Sequence, residues 1–216
     1  MATGRLREAG LGAAIGGVLL LAAAGAQAFQ FDVWRSGMKV DKVIEAGEKK
    51  GVSVSLPGSL PFFGKKEPDE LADTVEYRAK MKLLGYSSQV DFIFAPESRV
   101  LYSVKVAISV PMTGNKADLE VLADTVAKQL DAKYKNQVEI GPEGLTEALK
   151  DKLRDVKRRA WKSATDTVTM ESSWTVGGEV IVTYVDEKLA EKAKVEDRRI
   201  REKRLERSGG GDKGKF

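Results

Sequence analysis

Between residues 75 and 110 the chain alternates apolar and polar positions. Val75, Tyr77, Ala79, Met81 and Leu83 are separated by Glu76, Arg78, Lys80 and Lys82. A period of two sends the two sets to opposite faces, so this run reads as a half-buried strand with one wet face. Gly85 interrupts the pattern, and Val90, Phe92 and Phe94 resume it. After the turn Ala95-Pro96-Glu97-Ser98, a third run places Tyr102, Val104, Val106, Ile108 and Val110 on one face. Three such runs with short connections predict an antiparallel meander. Tyr77, Met81, Phe92, Phe94, Val104 and Val106 are its expected buried face. The row Glu76, Arg78, Lys80 and Lys82 is expected to be a solvated sheet face.

Helical spacing brackets this meander. Val40, Val43, Ile44 and Gly47 predict a helix over residues 38–50, and Gly51 is placed to end it. A short strand signal over 52–56 runs into a loop marked by Pro57-Gly58, Pro61 and Gly64, which holds Phe62 and Phe63. After the meander, Asn115 can cap a helix with Asp118 in its first turn. Leu119, Leu122, Val126, Leu130 and Tyr134 then form one apolar stripe. An extended Val138-Glu139-Ile140 segment leads through Gly141-Pro142 to a further helix carrying Leu145, Leu149, Leu153 and Val156. Trp161, Val168, Met170 and Trp174 signal a second strand set. Gly177-Gly178 reads as a hairpin turn, and residues 179–185 as a strand with Val182 and Tyr184 on one face. The predicted fold class is α+β, built from two helix-plus-antiparallel-meander units. The halves are 29–112 and 113–186 of a single domain spanning 29–186.

Both ends of the chain differ from this middle. Arg5 and Arg7 precede an uncharged, Leu/Ala-rich run over residues 11–25, and Ala26-Gln27-Ala28 fits the small-x-small rule for signal cleavage. Residues 1–28 therefore read as a signal peptide cut between Ala28 and Phe29, with the mature protein periplasmic or secreted. At the other end, Asp186 can cap a charged helix over 187–207 whose apolar residues make only a partial stripe. Ser208-Gly209-Gly210-Gly211 and the rest of 208–216 read as a disordered tail.

Charge sharpens this division. The chain carries 36 basic and 32 acidic residues, a net +4. Residues 187–216 alone hold eleven basic and seven acidic residues, so the middle of the chain is close to neutral. The basic excess marks Arg198, Arg199, Arg201, Lys203 and Arg204 as candidates for contact with an anionic membrane surface or an envelope protein. The basic run lacks aromatics and the signal leads away from the cytosol, so nucleic acid is not an expected partner.

Composition removes whole chemistries. The chain contains no cysteine and no histidine. That excludes disulfides, thiolate nucleophiles, Cys- or His-based metal sites and any histidine general base. No phosphate-binding glycine loop, nucleophile elbow or calcium loop is present. No cofactor is expected. What remains for catalysis is a carboxylate pair, as glycoside hydrolases use, but no spacing singles one out.

Gly37-Met38 heads the first helix, Val43 follows five positions later, and the meander covers Val90 to Val106. In these features the chain resembles the SmpA/OmlA family of small bacterial outer-membrane lipoproteins that take part in β-barrel assembly. The resemblance implies helix-plus-antiparallel-sheet units like those of β-lactamase-inhibitor proteins. It implies no activity, because the family's lipid-attachment cysteine is absent. Phe31-Asp32-Val33-Trp34, a Phe-x-Phe hairpin and a late Val-x-Tyr strand are similar to exported bacterial proteins of undefined activity. The sequence thus points to a non-enzymatic envelope protein that acts by binding, with a cell-wall glycan hydrolase as the rival reading. Phe62 and Phe63, adjacent in a Pro/Gly loop, are candidate contact residues, since both cannot face one core stripe.

Overall fold

The computed structural model describes residues 29–57, 75–134, 137–138, 157–175 and 177–209. The signal segment, Phe62 and Phe63, the helix expected near 142–156 and residues 210–216 lie outside the described residues. The described elements, in chain order, are β1 (Gln30–Phe31), β2 (Trp34–Arg35), α1 (Val40–Lys49), β3 (Val54–Ser55), β4 (Glu76–Leu83), β5 (Tyr86–Phe94) and β6 (Leu101–Val110). They continue with α2 (Lys116–Lys133), β7 (Gln137–Val138), β8 (Lys157–Lys162), β9 (Asp166–Thr175), β10 (Gly177–Asp186) and α3 (Glu187–Gly209). The fold is α+β.

One eight-stranded antiparallel sheet runs in the order β3-β4-β5-β6-β10-β9-β8-β7, with β1 and β2 forming a separate small hairpin. Read inward from either edge, the order is the same: a helix leads into four strands, and the last strand lies innermost. The two innermost strands, β6 and β10, pair from Gly178 opposite Val110 to Val185 opposite Ser103. This ladder makes two four-stranded halves into one sheet.

Helices α1 and α2 lie on the same side of the sheet as its apolar row. Val90, Phe92, Phe94, Val104, Val106, Val168, Met170, Val180 and Val182 are buried there. Asn115 opens α2 with a capping box, its side chain accepting from the Asp118 amide while Asp118 returns the bond to the Asn115 amide. Leu119, Leu122, Val126 and Leu130 then bury one stripe of α2, which packs on β9 and β10. Trp34 is fully buried against α1, donating its indole N–H to the Val43 carbonyl at 3.0 Å and tilting over Phe92 at 4.9 Å between centroids. Gly47 is required at this junction, because a Cβ there would fall 2.7 Å from both the Val52 carbonyl and the Val54 side chain. Gly37, at φ +82°, turns the chain so that its amide reaches the Leu101 carbonyl, fastening the head of α1 to β6.

Two expectations need correction. Alternation places Tyr102 beside Val104, but the register shifts between Ile93 and Phe94, so that Leu101 pairs with Phe94 and is fully buried in its place. The irregularity turns Tyr102 out of the apolar row, where partial burial raises its hydroxyl pKa and Asp197 of α3 adds to the rise. The hairpin expected at Gly177-Gly178 joins β9 to β10, but the two glycines already pair as strand residues, Gly177 at φ +96°. They lie within β10, opposite Thr175 and Trp174, and a Cβ at Gly178 would meet the Trp174 ring at 2.8 Å.

The charged helix α3 also packs further than its composition suggests. The Asp186 carboxylate accepts the Leu189 amide at 3.0 Å and caps it. Ala190 and Ala193 are buried, and α3 rests on β6 and β10. Helical structure extends through Ser208 and Gly209, two residues past the expected end.

Phe92→Ala should lower unfolding free energy by about 3–5 kcal/mol, whereas Lys82→Ala, on the exposed face, should change it by less than about 0.5 kcal/mol. Urea titration of both variants checks the assigned register; equal costs would contradict it.

Candidate functional site

Because the helices α1 and α2 cover one face, the other is left largely to polar side chains. Strand pairing arranges these in rows across the sheet. Lys82, Ser87, Ser109 and Glu179 form one row. Lys80, Gln89, Ala107, Ile181, Glu171 and Arg158 form the next. Arg78, Asp91, Lys105, Thr183 and Thr169 form a third. The last row, containing Ser103 and Val185, lies at the end where α3 begins.

In the third row Arg78 and Asp91 are matched to each other. Arg78 Nε donates to Asp91 at 2.6 Å, and its terminal nitrogen donates to Glu76 at 3.0 Å. Gln89 donates its amide to both Asp91 oxygens at 3.2 Å. The Asp91 hydrogen bond, foremost, pushes the Arg78 pKa further up. Asp91 is thereby buried with its charge satisfied. In the second row, Arg158 sits 3.0 Å from Glu171.

Lys80, Lys82 and Lys105 differ. All three are exposed, and none forms an ion pair among the described residues. Beside Lys80 and Lys82 lies a hollow of about 500 Å³ lined by Lys80, Met81, Lys82, Ser87, Ser88, Gln89 and Ser109. Met81 and Ser88 alternate toward the apolar face, so the side chains left for this hollow are two ammonium groups, two hydroxyls and an amide. That set can bind an anion. It contains no base placed beside a nucleophile.

A second polar group closes the opposite end of the core. Asp166 and Asp186 face each other across β9 and β10, both buried. Asp166 accepts from the Ser163 hydroxyl and, at 3.2 Å, from Thr165 Oγ1. Burial pushes its carboxyl above the usual aspartate range, against the pull of Lys133. The Lys133 ammonium donates to the Gln30 carbonyl and lies 5.4 and 6.0 Å from the ring centres of Tyr134 and Tyr184. Burial draws it below the ordinary lysine range. Tyr184 also meets Phe29 and Phe31 at 5.9 and 5.7 Å. The two carboxylates are engaged in a turn and a helix cap, respectively. The Tyr134 hydroxyl is buried without a hydrogen-bond partner among the described residues, and burial raises its pKa.

The basic residues marked in the tail do not form one patch. Arg199 reaches Glu97 at 2.9 Å and Lys203 approaches the same carboxylate at 3.8 Å. Glu196 accepts the Glu97 and Ser98 amides at 2.9 and 3.1 Å. These contacts fasten α3 to the β5–β6 turn. Arg201 pairs within the helix with Asp197 at 2.6 Å, while Arg198 and Arg204 lie on its exposed side. Sequence reasoning placed Lys80 and Lys82 on a wet face but missed the hollow. Ser87, Gln89 and Ser109 carry a signal only as polar positions in alternating runs, and what joins them to the lysines is strand pairing. Among the described residues no group of three or more Asp or Glu converges as a metal site. Comparisons with family models, curated proteins and solved structures find no match to this chain.

Tyr134→Phe removes an unpaired buried polar atom and keeps the ring packing. It should raise stability by about 1 kcal/mol or more in urea unfolding. A loss of stability would show that the hydroxyl is held by a partner such as a buried water.

Proposed function

We propose that this chain is an exported envelope protein that binds a negatively charged envelope component through its open sheet face, and that it is not an enzyme. One observation carries the reading. The face that α1 and α2 leave uncovered presents three exposed lysines that form no ion pair among the described residues, two of them beside a polar hollow. Elsewhere on that face the arginines are matched to carboxylates, so the lysine charge is left over for a partner. The basic start, apolar run and Ala26-Gln27-Ala28 at the N-terminus support export, with the mature protein periplasmic or secreted. Among the described residues no helix is long and apolar enough to cross a membrane.

The rival hydrolase reading requires two carboxylates facing a substrate. Asp166 and Asp186 are the buried opposed pair, and their engagement in a turn and a helix cap favours binding over catalysis. The basic side of α3 and the Phe62-Phe63 segment remain further candidate contacts for the same partner.

Site-specific photocrosslinking in the native envelope tests the proposal. A crosslinker at Ser87 or Ser109 should give a discrete adduct, and one at Lys128 on the exposed side of α2 should not. Adducts confined to Lys128, or none at either surface, would overturn it.

A further inference from the structure

We propose that the lysine corner of the open sheet face is a site for a phosphate ester of a polyol. This rests on the binding reading above and names the chemistry of the ligand. Lys80 and Lys82 are two residues apart on one strand, so their side chains leave the same face about 7 Å apart. Ser87 lies opposite Lys82 on β5, and Ser109 lies opposite Ser87 on β6.

The donors left over on this face select the anion. An arginine fork suits carboxylates and phosphates alike, and Arg78 is already shared between Asp91 and Glu76, so anion recognition here falls to lysine and hydroxyl donors. Among the described residues the donors left over are the ammonium groups of Lys80 and Lys82 and the hydroxyls of Ser87 and Ser109. Each can approach a different oxygen of a tetrahedral phosphate, and lysine commonly binds phosphate as a point charge.

The rest of the hollow selects what the phosphate is attached to. Its volume of about 500 Å³ far exceeds a bare phosphate. The Gln89 amide nitrogen is held on Asp91, which leaves its amide oxygen as an acceptor. Glu179, next to Ser109 on β10, adds a carboxylate at the far end of the row. Acceptors there suit ligand hydroxyls and repel a second anion. The site therefore has a direction along the row, with phosphate toward Lys82 on β4 and hydroxyls toward Glu179 on β10. A soluble sugar phosphate and a phosphoglycerol head group on a lipid share this chemistry.

Binding of glycerol 3-phosphate to the purified full chain, followed by amide chemical shifts, tests the assignment. Saturable shifts should centre on the β4–β5 hairpin and Ser109. The double variant Lys80→Gln/Lys82→Gln should weaken binding at least about tenfold, and Ser87→Ala/Ser109→Ala several-fold. Lys188→Gln/Lys192→Gln, on the exposed side of α3, should stay within about twofold. Glucuronate, a polyol carboxylate, should bind at least about tenfold more weakly. Cosedimentation with phosphatidylglycerol vesicles, against phosphatidylcholine vesicles, separates the sources. Vesicle binding lost in the Lys80/Lys82 variant assigns the ester to lipid, and its absence beside binding of the soluble ester assigns it to a free ligand.

No saturation by either phosphate probe, glucuronate binding as well as phosphate, or equal loss in the α3 variant would overturn the assignment. Crosslinks from Ser87 that persist without phosphate binding would sink the ligand class and leave the binding reading standing. All substitutions are at exposed or half-exposed positions, and unchanged thermal unfolding confirms that each variant is folded.

Discussion

The pairing of β6 with β10 is the constraint on which the rest of the structure depends. It is the seam between two helix-led, four-stranded halves, and its eight residue pairs fix the register of everything beside it. Val104, Val106 and Ile108 face the helices together with Val180, Val182 and Tyr184, and all six are buried. The same parity sends Lys105, Ser109 and Glu179 to the other side. A slip of one residue would exchange the two sets, burying charge and exposing the apolar row, so the hydrophobic pattern holds the seam in register. The polar face is thus a by-product of the core, and its donors are placed with the rigidity of a central ladder.

Packing at the margins protects this arrangement. The outermost strands β3 and β7 are only two residues long, which leaves little edge for unwanted pairing. Phe29 and Trp34 plug the core from the N-terminal hairpin, and Phe31 stacks beside Trp34 at 6.0 Å. On the polar face, α3 occupies one end, capped by Asp186 and clasped to the β5–β6 turn by Glu196, Arg199 and Lys203. The individual contacts in this clasp are surface ones, worth little each, but they converge on one turn alongside the buried Ala190 and Ala193. Lys80, Lys82 and Lys105 on that face form no ion pair among the described residues.

Local patterning made much of this legible in the sequence. Period-two runs marked β4, β5 and β6, and the capped stripe from Asn115 to Tyr134 marked α2, because those signals are set by neighbours along the chain. The misreadings have non-local causes. Tyr102 breaks its alternation through a register shift against Ile93 and Phe94, which no single strand reveals. Gly177-Gly178 carries a turn signature, yet Gly178 is small because the Trp174 ring lies across it. The seam joins residues 68 to 82 positions apart, and neither strand carries a mark that names its partner. The hollow inherits that illegibility, since Lys80, Gln89 and Ser109 come from three strands. The tail helix showed only a partial apolar stripe because charge dominates it, while its packing depends on two alanines, the least conspicuous apolar residues.

Native-state hydrogen exchange tests most directly whether the two halves form one structure across the seam. The amides of Val106 and Val182, which lie directly opposite each other, should share a single opening free energy equal to that of global unfolding measured in urea. Amides in the interiors of β5 and β9 should approach the same limit. If one half exchanged through an opening of clearly lower free energy while the other stayed protected, the halves would be separate folding units. The seam would then not be what holds the open face in place.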